Sequence, residues 1–121
     1  MKVAKFGGTS LASAEQIKKI CSIITADPQR RLVVVSAPGK RDSSDTKVTD
    51  LLIEAARARL TGQDGQAEMQ RVIDRYRDIA NDLNLPTDAL QPIESALRDR
   101  LAMDVRDEGL YMDAMKASGE D

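Results

Sequence analysis

The feature that most constrains the fold is a short apolar run, Leu32-Val33-Val34-Val35-Ser36, which contains three consecutive valines. β-Branched residues favour strands, and a run with no polar residue before Ser36 is typical of a strand that is covered on both faces. We therefore expect a buried, parallel type of sheet with helices on both of its faces, which is the α/β class.

Most of the remaining sequence has helical periodicity, with apolar residues every three or four positions. The first helix is expected to start at a capping box formed by Ser13 and Gln16 and to end at Asp27-Pro28. Cys21 falls on its apolar stripe, and we interpret it as a core residue. Four more helices are expected at about 48–60, 69–83, 87–101 and from 107 onward. Their predicted buried faces carry Val48, Leu51, Leu52 and Ala55; Met69, Val72, Ile73, Tyr76, Ile79, Ala80 and Leu83; Leu90, Ile93, Leu97 and Leu101; and Tyr111, Ala114, Met115 and Ser118.

The N-terminal strand, Lys2-Val3-Ala4-Lys5-Phe6, runs directly into Gly7-Gly8-Thr9-Ser10 and then into the first helical pattern. Glycine lets the main chain approach a ligand closely, and the first N–H groups of a helix attract anions. Together with the Lys5 ammonium and two hydroxyls, this corner has the composition of a phosphate-binding turn. An ordinary tight turn is the alternative. The glycine spacing excludes a Walker P-loop and a dinucleotide fingerprint.

The apolar strand ends at Ser36-Ala37-Pro38-Gly39. Ligands of open α/β sheets bind beyond the carboxyl ends of the strands, so this turn and the Gly7-Gly8 turn are expected to share one crevice. A hydroxyl that simply ends a strand is the alternative interpretation of Ser36. The polar stretch from Gly39 to Thr46 is expected to be a solvated, mobile loop, and a lid over substrate is a second interpretation.

The string Lys5-Phe6-Gly7-Gly8-Thr9-Ser10 resembles the opening of the aspartate kinases, within the amino acid kinase family. The Ser36-Ala37 step after a valine-rich strand, Thr49 at the start of the next helix and the Gly119-Glu120 pair are also similar. The resemblance covers the whole chain and implies the N-terminal part of a three-layer αβα fold with a mainly parallel sheet, helix-rich in this segment.

Only two strands are evident, so the sheet looks unfinished and we expect a fragment of a larger domain. The resemblance implies that residues 1–121 form the amino-acid-substrate side of a catalytic domain, with the nucleotide-binding half and regulatory ACT domains absent. The isolated chain is therefore expected to be inactive, and the full-length form is expected to be a homo-oligomer.

The resemblance implies phosphoryl transfer from ATP to the side-chain carboxylate of L-aspartate, which gives 4-phospho-L-aspartate and opens the synthesis of lysine, threonine and methionine. Mg²⁺ is expected to accompany ATP, and no protein ligand for the metal is identified. The implied site consists of Lys5 as the catalytic residue; Lys5, Gly7, Gly8, Thr9 and Ser10 around the ATP phosphates; and Ser36, Thr49 and Glu120 around aspartate, with Glu120 at the ammonium.

The chain has no histidine, which excludes imidazole-based triads and metal sites within it. A carboxylate acceptor needs no general base, because its reference pKa is about 3.9, and catalysis then reduces to positioning and positive charge. The 18 basic and 20 acidic residues favour neither a nucleic acid nor a membrane as partner. A single cysteine and no signal-like segment favour the cytoplasm.

Two alternatives to an aspartate kinase remain open from the sequence. The first is that the chain is another member of the amino acid kinase family. The second is that it is a non-catalytic helical interaction module whose apolar stripes dock on another protein. Binding of ATP with Mg²⁺ and of aspartate distinguishes the kinase from the module.

Overall fold

The computed structural model describes residues 1–120, which contain two strands, five α-helices and two short 3₁₀ helices. None of these helices is long and apolar enough to cross a membrane. In chain order the elements are β1 (Lys2–Phe6), a 3₁₀ helix (Gly8–Leu11), α1 (Ala14–Ala26), β2 (Arg30–Val35), α2 (Val48–Leu60), α3 (Gln66–Asp82), a second 3₁₀ helix (Thr87–Leu90), α4 (Gln91–Leu101) and α5 (Glu108–Ala117).

The two strands pair in parallel and are joined by α1, the connection that parallel strands require. Lys5 lies opposite Val34 in the register, and Phe6 lies opposite Val35. The Ser36 N–H donates a 3.2 Å hydrogen bond to the Phe6 carbonyl. The carboxyl ends of β1 and β2 are therefore side by side, so the turns that follow them start at the same edge of the sheet.

The prediction that β2 is covered on both faces is wrong for the described residues. Leu32 and Val34 are 50% and 49% exposed, and Val33 and Val35, on the other face, are each 40% exposed. The reason is that residues 1–120 supply only two strands, while α2 to α5 pack mainly on one another. The sheet therefore keeps apolar side chains accessible on both faces.

The hydrophobic core lies among α2, α3, α4 and α5 rather than over the sheet. The predicted face of α2 is confirmed, because all four of its predicted residues are buried. The prediction for α4 is wrong at Ile93, which is 42% exposed and borders an open groove beside Leu97 and Ser118. The largest fully buried side chains are Tyr111, Leu52, Met69, Ile73, Leu101, Met115, Val48 and Val72.

The first α-helix begins at the predicted capping box, one short 3₁₀ helix after the glycines. A 3₁₀ helix over Gly8–Leu11 comes first, and α1 starts at Ala14 with Ser13 as its N-cap. The Ser13 side chain accepts a hydrogen bond from the Gln16 N–H at 3.5 Å, which confirms the predicted cap. Cys21 is exposed, so its interpretation as a core residue is wrong. It lies about 100° around the helix from the buried Ile20, which carries it off the packed face.

Candidate functional site

The turns after β1 and β2 contact each other through their main chains. The Gly39 N–H donates a 2.7 Å hydrogen bond to the Gly8 carbonyl. A Cβ atom on Gly39 would lie 2.7 Å from the Gly8 carbonyl carbon and 2.9 Å from the Thr9 nitrogen, closer than real Cβ contacts. Only a glycine at position 39 allows this approach. The expectation that the two turns share one crevice is met at this contact.

A cavity of about 390 Å³ opens beside this contact. Its walls come from the two turns, the first turn of α2 and the segment that follows α5. Five of the residues predicted for the site lie together in this cavity, two from the phosphate set and all three from the aspartate set. The lining residues are Gly8, Thr9, Ser36, Ala37, Pro38, Gly39, Lys40, Lys47, Thr49 and Glu120.

The other predicted phosphate-binding residues do not line this cavity. Lys5 is an exposed residue of β1. Successive side chains of a strand point to opposite faces, and Phe6 is buried, so Lys5 projects from the opposite face of the sheet. Gly7 is exposed and Ser10 is half-buried, and the Ser10 N–H donates to the Gly7 carbonyl at 3.1 Å.

Two lysines contribute positive charge to the lining of the cavity, one of them at the start of α2. Lys47 is the N-cap residue of α2, and its side chain makes no capping hydrogen bond. Thr49 lies in the first helical turn, where the partial positive charge of the helix terminus is felt. Lys40 is a second lining ammonium, and Glu120 is the one lining carboxylate. Hydroxyls, ammonium groups and a single carboxylate suit a ligand that carries carboxylates and an amine.

Sequence reasoning missed Lys40 and Lys47 as site residues. It assigned residues 40–46 to a solvated loop, and the structure does show Arg41 to Ser44 exposed. The loop also has internal bonds that the sequence did not indicate, since Arg41 Nε donates to Asp45 Oδ2 at 2.7 Å. This guanidinium holds the pKa of the Asp45 carboxyl well below its usual range. The usable signal for Lys47 was its place directly before a predicted helix.

Glu120 is placed by a hydrogen bond to the residue before it. The Tyr76 hydroxyl donates to the Gly119 carbonyl at 3.0 Å. Burial raises the pKa of Tyr76 to about 12, so the phenol keeps its proton at neutral pH. Gly119 is buried, and a Cβ atom there would lie 2.8 Å from the Ala37 Cβ. The end of α5 is thus packed directly against the turn after β2.

Arg75 is a further important residue that sequence reasoning missed. It is 5% exposed and is the one buried charged side chain among the described residues. The available signal was its position three residues after Val72 and four before Ile79, which places it on the buried face of α3.

No group of three or more His, Cys, Asp or Glu side chains in residues 1–120 is arranged to hold a metal ion. The cavity itself contributes Glu120 as its only carboxylate among the described residues. Hard cations such as Mg²⁺ are held by several oxygen ligands, and this part of the chain does not offer such a set.

Comparison with known proteins gives consistent matches. The model of the amino acid kinase family matches residues 1–121. Aspartokinase 3 of Bacillus subtilis (strain 168) is 48% identical over 121 residues, which are 100% of this chain and 27% of that protein. Aspartokinase of Chlamydia pneumoniae is 33% identical over 84 residues, which are 69% of this chain and 17% of that protein.

Solved structures show the same fold. Aspartate kinase of Clostridium acetobutylicum superimposes with a TM-score of 0.83 and 30% identity, over 97% of this chain and 26% of that one. E. coli aspartokinase III, solved in complex with aspartate and ADP, superimposes with a TM-score of 0.68 and 22% identity over 98% of this chain and 26% of that one. The predicted α/β class is confirmed. The chain spans about a quarter of the length of the first of these relatives.

Proposed function

This chain belongs to the amino acid kinase family, and from that premise we propose that it binds L-aspartate in the cavity beside Gly8 and Gly39 and serves an aspartate kinase. The reaction is attack of a side-chain carboxylate oxygen of aspartate on the γ-phosphorus of ATP. The bond from that phosphorus to the β-phosphate oxygen breaks, and 4-phospho-L-aspartate and ADP are formed.

The observation that carries the proposal is the meeting of two predicted residue sets in one cavity. Gly8 and Thr9 come from the turn implied to bind phosphate, and Ser36, Thr49 and Glu120 come from the set implied to bind aspartate. These residues belong to four separate segments of the chain. The sequence similarity to proteins named aspartokinase supports the same assignment.

Each group of the substrate has a partner of matching chemistry in the cavity. The hydroxyls of Ser36 and Thr49 donate hydrogen bonds to the carboxylates, and the Glu120 carboxylate accepts from the ammonium. Lys40 and Lys47 offset the remaining negative charge of aspartate and phosphate. The solved complex of E. coli aspartokinase III with aspartate and ADP is the precedent for these two ligand types in this fold.

The main obstacle to the reaction is repulsion between two anions, the acceptor carboxylate and the γ-phosphoryl group. Both are ionised at neutral pH, since the carboxyl pKa is about 3.9. The protein therefore has to supply positive charge and alignment rather than a base. Lys5 does not line the cavity, but it lies on the strand that leads into the Gly7-Gly8 turn, and we assign its ammonium to neutralising charge on the transferring phosphoryl group. Gly7 and Ser10 complete the turn around the phosphates.

We assign residues 1–121 to the amino-acid-substrate side of a kinase domain, because the residues implied to bind aspartate lie in its cavity and the chain spans about a quarter of the length of Aspartokinase 3 of Bacillus subtilis. Adenine contacts, magnesium ligands and regulatory ACT domains are then expected from polypeptide outside these residues. Mg²⁺ bound to ATP is held mainly by phosphate oxygens and water in this proposal. A cytoplasmic location and a homo-oligomeric state stay predictions.

The test is an assay of the protein expressed from its complete gene, with ATP, Mg²⁺ and single amino acids. L-Aspartate should stimulate ADP release, and hydroxylamine should trap an equal amount of acyl phosphate as the hydroxamate. Thr49→Val should raise the aspartate KM about tenfold to a hundredfold, the effect of losing a hydrogen bond to a charged group (about 1.5–3 kcal/mol).

Thr61→Val is the matched control for this assay. Thr61 follows the other end of α2, and its hydroxyl bonds the helix carbonyls of Arg57 and Ala58. ADP release that is independent of every amino acid tested would contradict the kinase. Stimulation by a different amino acid, with none by L-aspartate, would assign the chain to another branch of the family.

A further inference from the structure

Arg75 is a charged side chain in a place where charge is costly. It lies on α3 with 5% of its surface exposed, and burial lowers the pKa of its guanidinium. A buried guanidinium is tolerated when its N–H groups find acceptors. An aliphatic residue of similar volume would fill the same space without this cost, so the acceptors that Arg75 contacts indicate what the charge is for.

Three of these acceptors are backbone carbonyls from three different segments. Arg75 Nη1 donates to the Thr46 carbonyl at 2.8 Å, and Nη2 donates to the carbonyls of Gly39 at 2.9 Å and Ala12 at 3.2 Å. Nη1 also lies 3.3 Å from Asp45 Oδ2, which neutralises the charge. One planar group therefore crosslinks parts of the chain that are far apart in sequence.

All three segments lead into the candidate cavity. Ala12 caps the 3₁₀ helix that contains Gly8 and Thr9. Gly39 lines the cavity itself, and Thr46 immediately precedes the lining residue Lys47. Residues 36–47 contain no helix or strand, so regular secondary structure does not fix this connection. The guanidinium supplies that constraint from behind the cavity, without lining it.

We propose that Arg75 is a positioning residue of this site, whose guanidinium fixes the Gly8-Thr9 turn, the Gly39 turn and the start of α2 relative to one another. The inference rests on the proposed function in that the phosphate-binding turn and the acceptor-binding helix start must be aligned for in-line transfer. Misplacement of reacting groups by about 1 Å costs about a hundredfold in rate. Arg75 acts through the main chain of these segments and touches neither substrate.

The test compares Arg75→Lys and Arg75→Met with Arg71→Met in the protein expressed from its complete gene. Lysine keeps the charge but lacks the planar fork that reaches several carbonyls at once. Arg71 lies one helical turn earlier, is exposed and pairs with Glu54 at 2.9 Å, so it controls for loss of an arginine from α3.

Both Arg75 variants should lose kcat by about tenfold to a hundredfold, while the KM for aspartate changes much less and Arg71→Met keeps wild-type values. The assay is run well below each variant's thermal midpoint, so that loss of stability alone does not lower kcat. Wild-type kcat in a folded Arg75→Lys variant would overturn the inference. If neither Arg75 variant folds, Asp45→Asn is the substitute test, because it removes the ion-pair partner of Arg75 and should also lower kcat. An unchanged kcat in a folded Asp45→Asn variant would overturn the inference.

Hydrogen exchange separates this inference from the proposed function. The amides of Gly39 and Val48 donate to the carbonyls of Gly8 and Pro38. Arg75→Lys should speed exchange at these two amides at least tenfold, and Arg71→Met should not. This result can be obtained with no substrate. If aspartate does not stimulate the wild-type protein but Arg75→Lys shows the faster exchange, the kinase assignment is refuted and the positioning role of Arg75 is supported. If exchange in Arg75→Lys is unchanged, only the positioning role is refuted.

Discussion

The Gly39 N–H and the Gly8 carbonyl are joined by a 2.7 Å hydrogen bond, which locks the turn after β2 onto the turn after β1. The bond is possible because the two turns leave parallel strands at the same edge of the sheet. It brings a turn with the composition of a phosphate cradle against a turn that carries Ser36. The turn proposed to bind phosphate and the turn proposed to bind aspartate are therefore adjacent before any ligand binds.

Gly39→Ala should separate these turns. The added Cβ atom would lie 2.7–2.9 Å from Gly8 and Thr9 backbone atoms, and overpacking of this kind costs about 1–3 kcal/mol. We expect a lower midpoint in thermal unfolding followed by circular dichroism. Gly109→Ala is the control, because the nearest atom to its Cβ atom is 3.5 Å away and alanine within a helix is favourable by about 0.5–1 kcal/mol. Equal midpoints for the two variants would show that the contact tolerates a side chain.

Glu120→Gln should weaken the binding of aspartate rather than slow the chemical step. The substitution keeps the size of the side chain and removes the charge that we propose faces the ammonium, a change of about 1.5–3 kcal/mol for a charge-assisted hydrogen bond. We expect the aspartate KM to rise about tenfold to a hundredfold while kcat changes little. Asp113→Asn removes an exposed carboxylate of α5 that does not line the cavity, and it should leave KM unchanged. An unaltered calorimetric affinity in Glu120→Gln would remove this residue from the site.

Lys5→Ala should have the opposite kinetic effect, lowering kcat more than it changes the binding of aspartate. If its ammonium stabilises the transferring phosphoryl group, its loss should lower kcat by about a hundredfold or more, as removal of one transition-state donor does, and should leave aspartate affinity nearly unchanged. Steady-state kinetics and aspartate titrations of the same preparation measure both quantities. Lys18→Ala, on the exposed side of α1, controls for the loss of one positive charge. Normal turnover in Lys5→Ala would exclude the catalytic role.

Tyr76→Phe should both destabilise the protein and raise the aspartate KM. It removes the hydrogen bond to the Gly119 carbonyl, which is worth about 0.5–1.5 kcal/mol, and it loosens the residue before Glu120. Tyr111→Phe is a useful comparison, because it removes a 2.7 Å bond to the Leu101 carbonyl in the helical core. It should lower stability without changing KM, and a similar rise in KM in both variants would contradict the local explanation.

Tyr76 should also contribute to the pH dependence of stability on the alkaline side. Its pKa is raised from 10.0 to about 12 by burial. Below pH 10 the phenol is protonated in both the folded and the unfolded state and adds no pH dependence. Between these two pH values the unfolded state loses its proton while the folded state keeps it, so the free energy of unfolding falls as pH rises. Denaturant titrations from pH 9 to 12 should show a shallower decline in Tyr76→Phe than in the wild type.

The parts of the site that follow directly from chain order were predictable. Ser36 ends a strand, and Thr49 begins a helix. Parallel strands end at one edge of a sheet, and both residues line the same cavity. The helical faces were also predictable, since residues such as Val72 and Met115 are buried where a 3.6-residue period places them.

What the sequence could not indicate depends on partners that are distant along the chain. Periodicity places Arg75 on the buried face of α3, but it does not reveal that three carbonyls from residues 12, 39 and 46 meet its guanidinium. The composition of β2 predicts that both of its faces are covered, but covering a strand takes other elements. Within residues 1–120 the sheet has two strands, and Val34 is 49% exposed. Lys47 has no sequence motif of its own, and its importance comes from where α2 begins.

Arg75 and Tyr76 are consecutive residues of α3, yet they bond to different segments around the cavity, Arg75 to the turns and the start of α2 and Tyr76 to Gly119. α3 is therefore a common support for the turn that contains Gly39 and for the residue that precedes Glu120. If Ser36, Thr49 and Glu120 bind aspartate as proposed, α3 helps to set the spacing between them, although none of its residues lines the cavity.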